Sequence, residues 1–428
     1  MKHNVLVVPC GAEIGLEIHR SLAYSTHFEL FGASSVDDHG QFVFKNYIGG
    51  LPYVDEPNFV EKINEVIKKH NIEFVFPAHD AVVLKLAQAD ESGELACKVI
   101  TSPHKTCEIT RSKKRTYAEL DGIVPTPKVF EGAEDVKDSD LPVFLKPDVG
   151  QGSKGTHIAK TIEDIEFYIK KDPSLLILEN LPGKEYTVDC FTNKEGKLLF
   201  CEGRERARVQ GGISVHSKIR NDVRFMDLAK KLAKKLTFRG VWFFQVKEND
   251  EGELVLMEIA PRVAGTMGLA RARGINLPLL SLFDALDQDV DVFQGPYEVV
   301  IDRALHNKFK HDITYQHVYL DFDDLIIYEN KVNPYIMAFV YQCHNNGKNI
   351  HLLTRHKGEL PQTLKKYRLN DAFDEITWLK SGEEKHTLIK EKDAIFIDDS
   401  FAERKKVHDK LGIPTFDSHM IESLMEKF

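Results

Sequence analysis

The chain has 428 residues, 57 of them Lys or Arg and 66 Asp or Glu, for a formal net charge of −9. With the basic residues scattered instead of striped, that balance argues against nucleic acid or an anionic membrane as main partner, and no apolar run approaches the ~18 residues of a membrane span. Six cysteines without C-x-x-C or Cys/His spacing give no disulfide frame or zinc site to expect. The apolar run 5–8 is too short for a signal-peptide core, so a cytoplasmic protein of about two to four domains is the expectation.

Residues 4–8 predict a strand, Cys10 to Gly15 a glycine turn and residues 16–22 a helix. This is the start of a Rossmann-like unit, fit to cradle an anion at the helix N-terminus. Gly11 and Gly15 equally suit a tight turn and close helix packing. A second apolar run, 74–77, leads to His79 and Asp80 and then to a helix over 81–89, which places Asp80 at a strand end, for N-capping first and substrate contact second.

From Arg111 onwards the features change. An apolar strand over 141–147 carries Lys146 and is followed by a loop rich in glycine, with Gly150, Gly152, Ser153 and Gly155. Backbone amides of such a loop can close over a triphosphate while an inward lysine adds point charge; the same loop reads equally well as a hairpin turn. Residues 175–189 predict strand, turn and strand with acids at both bends. A second strand pair, 240–246 and 254–262, surrounds the turn formed by Asn249, Asp250, Glu251 and Gly252.

In this order, residues 1–288 resemble the ATP-grasp ligases, most closely the carbamoyl-phosphate synthase large-subunit type. The resemblance implies a Rossmann-like preATP-grasp domain over 1–110, an α+β ATP-grasp domain over 111–315, and ATP and Mg²⁺ as cofactors. It places Lys113 and Lys146 on the nucleotide phosphates beneath Gly152 and Ser153. Lys113 is preferred to Lys114 because it stands three residues before Thr116 and Tyr117. Adenine would lie against Glu179, Asn180 and Leu181, and the ribose hydroxyls on Glu185. Gln245 and Glu258 would hold Mg²⁺, and Arg262 would meet the transferred phosphoryl group or the substrate carboxylate. Arg204, Arg206 and Arg208 read either as further anion contacts or as a solvated edge strand. One departure stands out: where the family reads Glu-x-Asn-x-Arg, this chain has Ala260 in the Asn place, and a methyl group cannot ligate.

Two short apolar runs then end in acid: residues 317–320 before Asp321, Asp323 and Asp324, and residues 394–397 before Asp398 and Asp399. Such runs read as strands buried in a parallel sheet, with ligands outside their carboxyl ends, or as core strands followed by helix-capping aspartates. Carboxylates converging there need a cation, and oxygen ligands suit Mg²⁺. Between them the strand 349–354 ends in Thr354, and Lys385 precedes the last strand. In that order residues 318–424 resemble the haloacid-dehalogenase-like phosphohydrolases, with a parallel-sheet Rossmannoid domain over 316–428. A single helical pattern, from Pro334 to about His344, fills the space where a cap domain would stand, so the domain is expected to be uncapped.

The resemblance makes Asp321 the nucleophile, Asp323 the acid and base, Thr354 and Lys385 the phosphoryl holders, and Asp321, Asp323, Asp398 and Asp399 the Mg²⁺ site. Lys385 is chosen over Lys380 and Lys390 for its setting, with a solvated helix lysine as the other reading. Leu325 follows Asp324 where the family supplies a helper hydroxyl. Together the two resemblances imply a bifunctional enzyme: an ADP-forming carboxylate–amine ligase and a Mg²⁺-dependent phosphatase, acting on small carboxylates, amines and a phosphorylated metabolite. The other reading is a nucleotide-binding regulator or scaffold with an inactive grasp domain and phosphatase activity only. Oligomeric state is left open.

Overall fold

A computed structural model describes residues 2–150 and 152–426. The chain divides into two compact units, the first ending at Leu305 and the second beginning at His306. The first unit opens with β1 (His3–Val8), α1 (Glu13–Leu22), β2 (Phe28–Ala33), β3 (Asn46–Ile48), α2 (Phe59–His70), β4 (Ile72–Pro77), α3 (Asp80–Glu91) and β5 (Lys98–Val99). The five strands form a parallel sheet in the order β3-β2-β1-β4-β5. β1 is apolar at every central position because both its faces are covered: Val5 and Val7 enter one core with α1, and Leu6 and Val8 another with α2.

Ser112 ends α4 (His104–Arg111) and caps α5 (Lys113–Leu120), its Oγ accepting from the N–H of Arg115. A small antiparallel sheet follows, built from β6 (Val129–Phe130), β7 (Val143–Pro147), β8 (His157–Ala159) and β9 (Leu175–Glu179) in the order β6-β9-β7-β8. It packs on α6 (Ile162–Lys171), whose Ile165 joins its core.

The largest sheet has the order β14-β13-β10-β11-β12-β15. Its strands are β10 (Glu185–Thr192), β11 (Leu198–Gln210), β12 (Ile213–Arg220), β13 (Gly240–Glu248), β14 (Leu254–Ala260) and β15 (Val300–Asp302). The helices between them are α7 (Val223–Lys235), α8 (Gly268–Ala272) and α9 (Leu277–Ala285). Alternation gives this sheet two faces of opposite character. Val188, Cys190, Trp242, Phe244 and Val246 pack on Phe225, Leu228, Ala229 and Leu232 of α7. The register brings Glu258, Gln245, Thr187 and Arg204 into one row across the other face. Charge survives burial there because it is paired: Arg204, only 2% exposed, donates through Nε and Nη2 to Asp189 at 2.8 and 3.0 Å. Beside it Glu202 accepts from Arg273 and Gln294.

The second unit alternates strand and helix after a first hairpin: β16 (His317–Leu320), β17 (Ile327–Tyr328), β18 (Lys331–Val332), α10 (Pro334–Asn345), β19 (Asn349–Thr354), α11 (Leu360–Tyr367), β20 (Glu375–Trp378), α12 (Lys385–Leu388), β21 (Ala394–Ile397), α13 (Phe401–Leu411) and β22 (Thr415–Phe416). The parallel sheet runs β20-β19-β16-β21-β22. β16 lies between β19 and β21, so the chain turns to opposite sides of it, and the crevice of such a sheet opens at the carboxyl ends of these strands. α10 follows the helical pattern read in the sequence; the β17–β18 hairpin ahead of it carried no turn signal that sequence reasoning used.

α7 can approach the large sheet because β11 has no side chain at Gly203. A methyl group there would lie 2.1 and 2.2 Å from ring atoms of Phe225. Gly203→Ala is expected to destabilise the first unit by about 1–3 kcal/mol, as overpacking does, with Phe225→Leu recovering part of the loss. The chain has two tryptophans, Trp242 and Trp378, one in each unit. Urea unfolding followed by Trp242 fluorescence in a Trp378→Phe background checks this.

Candidate functional site

In the first unit the polar row of the large sheet ends at a pocket whose lining includes Asp80, Arg111, Lys113, Gly150, Glu258 and Arg262. Glu258 on β14 stands opposite Gln245 on β13. Beyond that pair the register slips, so that Leu256 faces Val246 and Met257 is the extra residue of a bulge. The freed Met257 carbonyl accepts from Tyr117 Oη at 2.8 Å and from Lys146 Nζ at 3.3 Å, while Lys146 also donates to Tyr117 Oη at 2.8 Å. Lys146 is thereby held beside Glu258. Burial pushes its pKa down to about 8, with Glu258 acting in the opposite sense. Lys113 is lowered in the same way and donates to the Asp148 carbonyl at 3.1 Å.

Arg262 is fixed from outside its own strand. Its Nε and Nη2 donate to the two carboxylate oxygens of Asp80 at 2.5 and 2.9 Å, its Nη1 donates to the Val263 carbonyl at 3.0 Å, and the guanidinium lies over the Phe243 ring. Burial alone would raise the Asp80 pKa, but Arg262 more than offsets it and holds the carboxyl below its usual range.

In the second unit the loops after β16 and β21 bring together Asp321, Asp398 and Asp399, each offering a ligand oxygen within 4.8 Å of the others. Lys385 Nζ lies 2.7 Å from Asp321 Oδ1 and 2.6 Å from Asp398 Oδ2. Burial raises the Asp321 pKa to about 6 against the pull of Lys385; Asp398 is raised as well, again chiefly by burial. For Lys385 burial acts against the charge, but Asp321 and Asp398 prevail and the pKa is raised. Thr354, fully buried at the end of β19, accepts from the N–H of His356 at 3.1 Å. The donor set of the three aspartates, all hard oxygen, fits a cation such as Mg²⁺.

Residues 171–304 match the family model described as "ATP-grasp in the biosynthetic pathway with Ter operon". The carbamoyl phosphate synthase large chain of Clostridium beijerinckii is 30% identical over 191 residues, 39% of this chain and 18% of that protein. The arginine-specific large chain of Bacillus subtilis is 23% identical over 250 residues, 53% of this chain and 24% of that one. The chain carries an ATP-grasp domain. Its homologues are of carbamoyl-phosphate synthase type, although the chain spans less than a quarter of the length of these curated relatives.

Solved structures share the fold. The biotin carboxylase domain of Hydrogenobacter thermophilus 2-oxoglutarate carboxylase, complexed with MgADP, ADP and bicarbonate, matches with a TM-score of 0.59 and 16% identity over 69% of this chain and 72% of that one. Staphylococcus aureus N5-carboxyaminoimidazole synthetase, complexed with ADP, matches with a TM-score of 0.59 and 12% identity over 71% and 83%. No helix among the described residues is long and apolar enough to cross a membrane.

Of the residues singled out in the ATP-grasp portion, Lys113, Lys146, Gln245, Glu258 and Arg262 gather around the pocket and its rim. Lys114, by contrast, is exposed and reaches Glu131. Several expectations are corrected. Asp80 does not cap α3; His79 does, its Nδ1 accepting from the N–H of Ala81, which frees Asp80 for Arg262. Arg262 is therefore oriented by a carboxylate of this chain, with part of its N–H edge left over. Arg204 and Arg206 are held by Asp189 and Glu185 and are neither solvated nor open anion contacts, whereas Arg208 makes an exposed ion pair with Asp302, as the solvated reading expects. Glu185 reaches any ribose only while sharing its charge with Arg206. The first glycine turn is no anion cradle, because the Asp38 carboxylate packs against Gly11 and α1 begins with Glu13.

Glu179, Asn180 and Leu181 close β9 away from the residues lining this pocket, with Glu179 raised by burial and Leu181 buried. Gly152 and Ser153 both have positive φ, as their loop requires; Gln151, just before them, lies outside the described residues. In the second unit Lys385 is buried and doubly bonded, not solvated, while Asp323 stands outside the carboxylate cluster and pairs with His356 at 2.9 Å. Sequence reasoning missed Tyr117, Arg111, His356 and Arg404, whose Nη1 donates to the Asp398 and Asp399 carbonyls at 2.6 and 2.7 Å. None of them belongs to a recurring local pattern.

Removing Lys385 leaves two buried carboxylates facing each other. Lys385→Met is expected to destabilise the second unit by about 3–5 kcal/mol, the usual effect of breaking a buried pair. Urea unfolding followed by Trp378 fluorescence in a Trp242→Phe background is the measurement.

Proposed function

We propose that the first unit is an ATP- and Mg²⁺-dependent ligase that joins a small carboxylic acid to an amine through an acyl phosphate. The observation that supports it most is the pair of inward lysines, Lys113 and Lys146, beside Glu258 and Gln245 in a chain with an ATP-grasp match. Lys146 and Lys113 neutralise nucleotide phosphates, and the loop around Gly152 and Ser153 covers them. Glu258 and Gln245 hold Mg²⁺, which supplies charge neutralisation between the phosphates. Arg262, oriented by Asp80, presents its remaining N–H edge to the carboxylate being activated. Glu179, Asn180, Leu181 and Glu185 are the proposed adenine and ribose contacts.

For the second unit we infer a Mg²⁺-dependent phosphohydrolase of haloacid-dehalogenase-like type, acting on a phosphorylated metabolite. Lys385 supports this by bonding Asp321 and Asp398 at once, which orients a carboxylate in a buried crevice. Asp321 attacks phosphorus and becomes an aspartyl phosphate. Asp323, held by His356, protonates the leaving oxygen and then takes a proton from water. Thr354 and Lys385 hold the phosphoryl oxygens, and Asp321, Asp398 and Asp399 are placed to ligate Mg²⁺.

A second reading is favoured by Ala260. It is 6% exposed and belongs to an apolar cluster with Phe243, Val263 and Met267, where an Asn would be expected to ligate. In that reading the first unit binds nucleotide as a regulator and only the phosphatase turns over. ADP release by wild type and Ala260→Asn, in a screen of acid and amine pairs read by mass spectrometry, separates the two. ADP from wild type supports the ligase; tight ATP binding without ADP supports the regulator.

Two further outcomes follow. Asp321→Asn is expected to reduce phosphate release from an aryl phosphate to background while leaving ATP-dependent ADP release intact. Lys146 carries its proton below a pKa of about 8 and loses it above, so ATP affinity is expected to fall as pH rises through about 8. The loss should be roughly ten-fold or more, the size of a charge-assisted hydrogen bond. Lys146→Arg, whose guanidinium stays charged, should flatten that fall; equilibrium titration with a fluorescent ATP analogue across pH measures both.

A further inference from the structure

Ser112 joins α4 to α5 in an extended conformation, with φ −104° and ψ 123°. Side chains flanking an extended residue fall on one side, and Arg111 and Lys113 accordingly line the same pocket, with Asp80, Glu258 and Arg262. The junction is clamped from the end of β7. The Asp148 carboxylate accepts from Ser112 Oγ at 2.8 and 3.0 Å and from the N–H of Lys114 at 2.8 Å. Arg111 is half-buried and, among the described residues, has no carboxylate partner. Its Nη1 donates to the Gly150 carbonyl at 3.3 Å, a long bond to a neutral acceptor at the start of the glycine loop. Its other N–H groups have no partner among the described residues. Arg262, in the same pocket, already gives donors to Asp80 and to the Val263 carbonyl. Of Gln245, Glu258 and Ala260 only Glu258 carries a charge, so β13 and β14 offer a metal ion a single carboxylate. The charge at the end of a triphosphate is then left to Lys113, Lys146 and Arg111.

We propose that Arg111 is a catalytic residue of the ligase, holding the γ-phosphoryl group of ATP as it passes to the carboxylate. The inference rests on the ligase reading given above and adds to it a residue that has no role there. Arg111 belongs to the phosphate end of the pocket: it stands two residues from Lys113, shares the lining with Glu258 and bonds to the loop that covers the phosphates. Arg262, turned by Asp80, serves the carboxylate end. In the step itself a carboxylate oxygen attacks the γ-phosphorus. The bond from that phosphorus to the oxygen it shares with the β-phosphate breaks, and the electron pair leaves on ADP. No proton moves, so the group that steadies the phosphoryl oxygens must be charged throughout, as a guanidinium is. Its planar fork matches two of those oxygens, and the weak bond to Gly150 is readily exchanged for charge-assisted ones.

The test is isothermal titration of the full chain with Mg·ADP and with Mg·AMP-PNP, an ATP analogue that keeps the γ-phosphoryl group but resists its transfer. Arg111→Gln can still donate to the Gly150 carbonyl but carries no charge. It is expected to weaken Mg·AMP-PNP by about ten-fold or more while Mg·ADP stays within about two-fold of wild type. Arg111→Lys, which keeps the charge without the fork, should recover part of the loss. ATP-dependent ADP release should fall further in Arg111→Gln, by about a hundred-fold or more, the usual effect of removing a donor that meets charge in the transition state. A residue that merely seats the glycine loop would move both nucleotides alike. Equal weakening of the two, or no weakening of either, overturns the proposal and leaves the ligase reading standing. A wild type that binds neither nucleotide strikes the ligase reading itself, and the role of Arg111 with it.

Discussion

Charge buried against a sheet must be paired, and that constraint arranges both units. In the first, Arg204 lies almost without exposure on a sheet whose other face is packed against α7, and it is tolerated because Asp189 takes two of its donors. In the second, Lys385 is tolerated in the core for the same reason, with Asp321 and Asp398 as its partners. Each pair needs two separate elements to abut in a single register, β10 with β11 for Arg204 and α12 with the ends of β16 and β21 for Lys385. The polar groups therefore follow the strands, and the strands follow the apolar faces beneath them.

Pre-pairing has a chemical consequence. A side chain already held by a buried partner loses little freedom when a substrate arrives, which is how a site is oriented before binding. Asp80 does this for Arg262, the bulge carbonyl of Met257 for Lys146, and His356 for Asp323. The positioning groups come from elements other than those carrying the groups they position.

Ala260 shows how a packing choice bears on chemistry. At the end of β14 it faces Phe243 across the sheet and joins the apolar cluster that reaches Val263 and Met267. An Asn in that place would need partners for its amide. The methyl group instead extends the core to the edge of the pocket, leaving Glu258 and Gln245 as facing oxygen donors on these two strands.

The sequence by itself determined where strands carry or end in acids, a hydroxyl or a lysine. Asp321, Thr354 and Asp398 each follow an apolar run of strand length, and Lys146 and Glu258 sit within such runs, so local periodicity places them correctly. Lys385 could be preferred over Lys380 and Lys390 only by resemblance; the structure distinguishes it by burial. Tertiary structure alone decided the partners. Asp80 reads chiefly as a helix cap until a segment 182 residues away brings Arg262 to it, and the arginines of β11 read as anion contacts or a solvated edge until β10 and β15 supply their acids. The physical reason is one of range. Secondary structure and side-chain alternation depend on neighbours a few residues apart, whereas an ion pair depends on which strands lie side by side, and that is set by how the apolar faces of the whole unit close.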